Sequence, residues 1–360
     1  VTDTPKDIGD WGGTRIKPGQ SAAVHILVSQ SYAGTDIKIP VYVWRAKKPG
    51  PTVAITAAVH GDEINGTGAI RHMIVDKPFE LIAGTLVLVP VVNILGFERH
   101  SRYLPDRRDL NRSFPGTHEG SLASRLARAV FGQVIKRCDY CIDLHTAAVR
   151  RTNFPNVRAD MTDERLADFT RAFGTELILS SQGPVGSLRR SANKADCPTL
   201  ILEAGEVWKI EPAVVEHAVR GISNCLMHLK MIKGKPKPPA YQIVVSKTRW
   251  VRAVNGGLLS FHISPGDIIR KGEPIATNTS LLGIEQNIIE SPMDGIVLGM
   301  TTMPSVAPGD PICHIARINK KALKEAEQAR EAMSDKSLHQ RVQDNLATSL
   351  MVSEMDEPAS

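Results

Sequence analysis

The sequence predicts an α/β domain with a mixed, mostly parallel sheet flanked by helices, followed by a small all-β module. Three observations predict it. Apolar, β-branched runs alternate with amphipathic helical runs from about residue 52 to residue 231. The runs at 52–59, 85–92 and 139–144 are nearly continuous in apolar residues, as expected of strands covered on both faces. Beyond Lys233-Gly234-Lys235-Pro236-Lys237-Pro238-Pro239 the texture changes to short β runs broken by Pro-Gly, Gly-Asp and Asp-Gly turns.

In order, residues 1–20 read as a polar arm, and 24–28 and 37–44 as strands joined to the α/β domain. Lys47 to Pro51 reads as a loop, and the strand from Thr52 runs into His60. Ile64 to Val75 fits a helix with Ile64, Ala69, Ile70, Met73 and Ile74 on its apolar face. Residues 93–119 form a long Arg-rich loop, and loops of that length are usually functional. Ser121 caps a helix to Ile135, and 162–173 is helical. Leu200 to Leu202 is a strand ending at Glu203, and a helix over 211–231 carries Pro212 in its first turn, where it is tolerated. The predicted domains are thus 1–50 (arm and strands), 51–232 (catalytic), 233–240 (linker), 241–318 (all-β) and 319–360 (charged helix and polar tail).

Composition narrows the function. At 42% apolar and 23% charged residues the chain is ordinary for a globular protein, and no apolar run is long enough to cross a bilayer. The net charge of +6 comes from basic residues interspersed with acids, and aromatics are only 5%, so nucleic-acid binding is not expected. The first residues lack the layout of a signal peptide. The five cysteines form no disulfide framework, and Cys138-Asp139-Tyr140-Cys141 lacks the second pair of a structural zinc site. Reduced thiols and a cytoplasmic setting are expected.

Four short stretches carry chemistry. His60 and Glu63 sit where a buried-type strand meets a helix, the place where open α/β sheets hold ligands. Imidazole and carboxylate are the donors of catalytic zinc sites that keep one position open. In 141–147, Asp143 and His145 are two apart and share a face of a strand, so His145 is a third donor and Asp143 its buttress. In 200–206, a carboxylate directly after three apolar residues is costly unless used, which makes Glu203 a natural base beside a metal-activated water, with Glu206 second. The loop with Arg99, Arg102, Arg107, Arg108, Asn111 and Arg112 offers guanidinium forks for a carboxylate and for a developing oxyanion.

Together H-G-D-E at 60–63, D-L-N-R-x-F-P-G at 109–116, D-L-H-T at 143–146 and L-E-A-G at 202–205 resemble the succinylglutamate desuccinylase and aspartoacylase family, part of the wider group of zinc carboxypeptidase-like hydrolases. The resemblance covers roughly residues 50–318. It implies one Zn2+ held by His60, Glu63 and His145, Glu203 as general base, and Asn111 with Arg112 on the substrate's carboxylate. It implies that an Arg before D-L-N-R polarises the carbonyl: Arg102 by local match, with Arg107 and Arg108 as alternatives. Arg189, or else Arg190, lies where relatives hold an acidic acyl or side-chain group. The 241–318 module is similar to the barrel-sandwich of biotinyl and lipoyl carriers. It has no Lys between 277 and 290, so a swinging arm is rejected and a wall over the cleft is expected.

The expected activity is hydrolysis of the amide bond of a small N-acyl amino acid or related carboxylate-bearing amide. A short-peptide metallocarboxypeptidase is the alternative, and a metal-retaining binding protein without turnover is a third reading. A homo-oligomer is possible in such a family.

Overall fold

The computed structural model describes residues 9–31, 33–334 and 336–352. The expectations for the extreme ends of the arm and tail lie outside these residues. The chain opens with a ribbon of β1 (Asp10–Trp11) and β2 (Thr14–Arg15), then the hairpin β3 (Ser21–Gln30) and β4 (Asp36–Arg45). There follow β5 (Lys48–Ala57), α1 (Asn65–Asp76), β6 (Ala83–Val89), the short α2 (Ile94–Phe97), a 3-10 turn at Leu110–Arg112 and α3 (Leu122–Gln133). Next come β7 (Tyr140–His145), β8 (Arg151–Ala159), α4 (Glu164–Phe173), β9 (Leu177–Ser180), α5 (Leu188–Lys194), β10 (Thr199–Glu206) and α6 (Pro212–His228). The C-terminal part adds β11 (Ile243–Val245), β12 (Thr248–Arg252), β13 (Gly257–Phe261), β14 (Ile268–Ile269), β15 (Pro274–Thr279), β16 (Gln286–Glu290), β17 (Gly295–Thr301), β18 (Ser305–Val306), β19 (Pro311–Arg317), α7 (Lys320–Glu331) and α8 (Leu338–Ala347).

A large mixed sheet organises the molecule. Its centre, β6-β5-β7-β10, is parallel. Alternation along the central strands feeds two cores: Val53, Ile55 and Ala57 pack with α1 and α6 on one face, and Ala54 packs with α3 on the other. Residues 53–57 are all buried, which is why this stretch is apolar at every position but Thr56. Ser121 Oγ accepts from Ser124 N at 3.3 Å and Pro212 opens α6, both as expected.

Several expectations are corrected. The sheet is mixed, as expected, but not mostly parallel: β4 and β3 on one side, and β8, β17, β19 and β12 on the other, run antiparallel to strands beside them. Residues 48–51 belong to β5 rather than to a loop; the register shift between Lys48 and Thr52 accommodates Pro49 and Pro51 without a missing donor. The strand carrying Glu203 continues to Glu206. The C-terminal strands split. One group, β16-β15-β13-β18, forms its own four-stranded sheet, but β17 pairs with β8 through Gly299↔Asn153 and carries β19 and β12 onto the main sheet. The Pro-rich stretch at 233–240 is therefore not a boundary of the sheet. The tail is not merely polar: α8 buries Leu338, Val342 and Leu346 in the main core. No helix among the described residues is long and apolar enough to cross a membrane.

α8 also covers a buried polar cluster. His339 Nδ1 lies 3.4 Å from Glu176 Oε1, and His217 Nε2 lies 3.1 Å from Thr175 Oγ1. Burial pushes His217 down to about 4 despite nearby Glu176, and the two histidines hold Glu176 below its ordinary value against its own burial. Between pH 6.5 and 4 the unfolded chain therefore binds a proton that the folded chain refuses, so stability falls on acidification through that window. The His217 contribution is about 3 kcal/mol. Glu176 adds loss of the same sign below its ordinary range. Urea unfolding from pH 7.5 to 4.5 should show this slope, and His217→Gln should flatten it.

Candidate active site

The site lies at the carboxyl ends of β5, β7 and β10. After β5 the chain turns through Ala58, at φ +49°, into His60-Gly61-Asp62-Glu63. A Cβ on Gly61 would sit 2.1 Å from the carbonyl carbon of Gly96, so only glycine lets this turn pass against α2. β7 ends on His145, which is the register partner of Glu203 on β10.

Glu63 stands between the two imidazoles. His60 Nδ1 and Glu63 Oε1 are 2.7 Å apart, as are His145 Nδ1 and Glu63 Oε2. The outer ring nitrogens meet carboxylates: His60 Nε2 is 3.1 Å from Asp109 Oδ1, and His145 Nε2 is 2.9 Å from Asp143 Oδ2. Asp143 is fixed in turn by Thr56 Oγ1, which donates to Oδ1 at 2.6 Å. Arg102 donates to Glu63 at 3.3 Å and to Asp109 at 3.1 Å.

The donor set fits a metal ion. His60, Glu63 and His145 are all buried, and their donor atoms lie within 4.8 Å of one another. Three carboxylates surround two imidazoles, and the Arg102 guanidinium bonds two of the three. Burial works against charge on both histidines, yet the carboxylates outweigh it and raise His60, and raise His145 well above its ordinary value. The same imidazoles hold the Glu63 carboxyl far below its usual range in spite of complete burial. Two imidazoles and a carboxylate converging in a buried pocket are the donors of a catalytic zinc site, and an outer carboxylate behind each imidazole is the usual support of a metal-bound histidine.

These residues open into a cavity of about 280 Å³ that also contains Glu203, Arg102, Asn111, Arg112 and Arg189. Asn111 Oδ1 accepts from Leu188 N at 2.9 Å, leaving its amide NH2 for a ligand, and Arg112 lies beside it. Of the three candidate arginines, Arg102 alone lines the cavity: Arg107 and Arg108 are exposed, and Arg108 lies 3.8 Å from Asp106. Glu206 is also outside it, with its carboxylate bonded by Lys209 at 2.5 Å and by Thr302 at 2.9 Å.

The family model for the succinylglutamate desuccinylase/aspartoacylase catalytic domain matches residues 49–229, half of the chain. The chain belongs to this family. A curated relative, the N-alpha-acetyl-L-2,4-diaminobutyric acid deacetylase of Halomonas elongata, is 26% identical over 296 residues, covering 78% of this chain and 86% of that one. Among solved structures, a succinylglutamate desuccinylase/aspartoacylase from Rhodobacter sphaeroides superposes with a TM-score of 0.71 at 24% identity, covering 89% of this chain and 99% of that one. The product-bound ectoine utilization protein EutE (DoeB) from Ruegeria pomeroyi gives 0.71 at 22% identity, covering 83% and 95%. These structures share the mixed α/β fold, and the family's members are deacylases.

In this family member the remaining walls come from residues that sequence reasoning missed. Arg151, Asn153 and Arg158 all come from β8. The register of β8 on β10 shifts between Asn153 and Asn156, so a bulge at Phe154-Pro155 reverses the alternation. Asn153 and Arg158, an odd number of residues apart, therefore reach one cavity while Phe154 and Val157 both enter the core. Asn153 Nδ2 donates to Glu203 Oε2 at 3.2 Å, and Arg158 Nη1 lies 3.5 Å from Glu203 Oε1. Trp250 of β12 and His314 of β19 stack at 4.4 Å with 5° between their planes, and the Arg151 guanidinium lies 4.8 Å over Trp250. Arg189 is 2% exposed, and Arg190 instead donates to Gly183 O and lines a different cavity.

Proposed function

We propose that this protein is a zinc-dependent amidohydrolase that cleaves a small N-acyl amino acid or related carboxylate-bearing amide. The observation that carries this reading is one small cavity holding three metal donors, a separate carboxylate in Glu203 and a guanidinium in Arg102. His60, Glu63 and His145 would hold the ion, which when bound supplies Lewis acidity to water and to the carbonyl oxygen.

The chain's own groups do the rest. Arg112 and the Asn111 amide grip the substrate's carboxylate, and Arg189 takes an acidic acyl or side-chain group. Glu203 receives a proton from the attacking water as its oxygen bonds to the acyl carbon. Arg102 faces the negative charge that develops on the former carbonyl oxygen. As the C–N bond breaks, the same proton passes from Glu203 to the departing nitrogen, giving a carboxylic acid and a free amine. Asn153 holds Glu203 in place for both transfers. The stacked Trp250 and His314 wall the cavity, and its size favours small amides over peptides.

The test is a panel read by mass spectrometry. Zinc-loaded protein is given N-acetyl, N-succinyl and other N-acyl amino acids, N-α-acetyl-diaminobutyrate included, beside short peptides. Release of amine from one acyl class is expected, with none from Glu203→Gln. Cleavage confined to peptide C-termini would replace the reading with a carboxypeptidase. Stoichiometric zinc without turnover of any member would favour the metal-retaining binding protein.

A further inference from the structure

The cavity holds a buried arginine whose hydrogen bonds are incomplete. Arg189 donates through Nη2 to Ser181 Oγ at 3.2 Å, but its buried Nε and Nη1 have no partner. Arg158 and Arg151 line the same cavity together with the carboxylates Glu203 and Glu63, and Asp160 and Asp143 also act on Arg189 from nearby, yet none of these carboxylates bonds its Nε or Nη1. Burial first, and then Arg158, push Arg189 down to about 10, although Glu203, Asp160 and Asp143 work the other way. His314 is pushed down to about 4 by burial, Arg158 and Arg151. A buried guanidinium with two unpaired N–H groups is costly in the free protein, and an anion between Arg189 and Arg158 would satisfy it.

Arg158 is the shared member. Its Nε donates to Asn156 Oδ1 at 3.4 Å while Nη1 reaches Glu203 Oε1 at 3.5 Å. Its side chain is 33% exposed, so it is not locked by packing. Glu203 is therefore held on one oxygen by Asn153 and on the other by Arg158.

We propose that Arg158 is a positioning residue that couples substrate recognition to the base: an anionic group of the substrate, seated between Arg158 and Arg189, draws Arg158 off Glu203. This rests on Glu203 being the base. An occupied subsite leaves Glu203 on Asn153 alone, with one oxygen turned free toward water. An empty subsite leaves it neutralised in an ion pair. The acidic group already assigned to Arg189 is thus shared with Arg158, while Arg112 and Asn111 hold the other carboxylate. A substrate with an ammonium group at the second position is repelled.

Matched substrates that differ only by carboxylate against carboxamide test the coupling: N-acetylaspartate with N-acetylasparagine, and N-succinylalanine with its succinamoyl counterpart. In the wild type, loss of the second carboxylate in one of the pairs should lower kcat by at least about tenfold, the scale of a charge-assisted hydrogen bond, as well as raising KM. In Arg158→Gln the kcat ratio should approach one while the KM preference, carried by Arg189, remains. Arg158→Lys should restore part of the kcat ratio. An unchanged kcat ratio in Arg158→Gln overturns the coupling. If Glu203→Gln keeps wild-type kcat, it is the base assignment that fails, whatever Arg158→Gln does. A readout without turnover is a crystal structure with succinate. Arg158 moved off Glu203 and onto a carboxylate shared with Arg189 is expected. An Arg158–Glu203 pair intact beside bound succinate, or no succinate bound at tens of millimolar, overturns the proposal.

Discussion

Replacing Glu203 by glutamine should lower kcat by about 10²–10⁴-fold, the usual contribution of a positioned general acid–base, and leave KM little changed. Glutamine keeps the shape of the side chain and still accepts from Asn153 Nδ2, which now bonds Glu203 at 3.2 Å. It has no basic oxygen to take the proton from water and none to return it to the leaving nitrogen, so both proton transfers are lost at once. Because Glu203 stands outside the His60, Glu63 and His145 cluster, metal content should stay at one ion per chain. Steady-state kinetics and metal analysis on the same preparation check both halves. Glu206→Gln is the matched comparison: its carboxylate is bonded by Lys209 and Thr302 outside the cavity, so kcat should hold. Loss of activity in Glu206→Gln with retention in Glu203→Gln would exchange the two assignments.

Stripping the ion should abolish turnover without unfolding the chain, and Zn2+ should restore it. The charges that would bind the ion already balance one another: Glu63 bridges both imidazoles at 2.7 Å, and Asp109 and Asp143 stand behind them. The fold rests on the apolar cores rather than on the ion, so far-UV circular dichroism should not change on chelation. The melting point should drop, because an ion at about 1,000 times its Kd stabilises the native state by about 4 kcal/mol. His145→Ala should not be rescued by Zn2+. Asp143→Asn should weaken metal affinity by about 10–100-fold, since it removes the carboxylate that orients His145. Titration with a competing chelator measures that shift. Full activity in metal-free protein would sink the metal assignment.

Much of the site was legible because its signals are local. A histidine directly after an apolar strand, a carboxylate three residues on, and two polar residues at strand spacing in Asp143 and His145 depend on neighbours in the chain. Their meeting at one sheet edge then follows from parallel strands. Glu203 stood out because a carboxylate after Leu200-Ile201-Leu202 needs a use, and Glu206, second on the sequence, has its carboxylate bonded by Lys209 and Thr302 outside the cavity. Arg102 was separable from Arg107 and Arg108 only in three dimensions, since all three sit in one loop of similar composition.

What the sequence by itself determined is the α/β alternation, the candidate metal-donor set, the candidate base and the family pattern, because each is written in spacing along one strand or turn. Only the tertiary structure decided the walls of the cavity and its charge. β8 is polar and interrupted by Pro155, so its strand character shows only when β10 and β17 pair with it. Its bulge turns Asn153 and Arg158 to one side, and the pairing Gly299↔Asn153 brings Trp250 and His314, more than 90 residues after β8, over the site. Long-range strand pairing sets which side chains share a cavity, and that register is fixed by packing across the whole sheet rather than by any local run of residues.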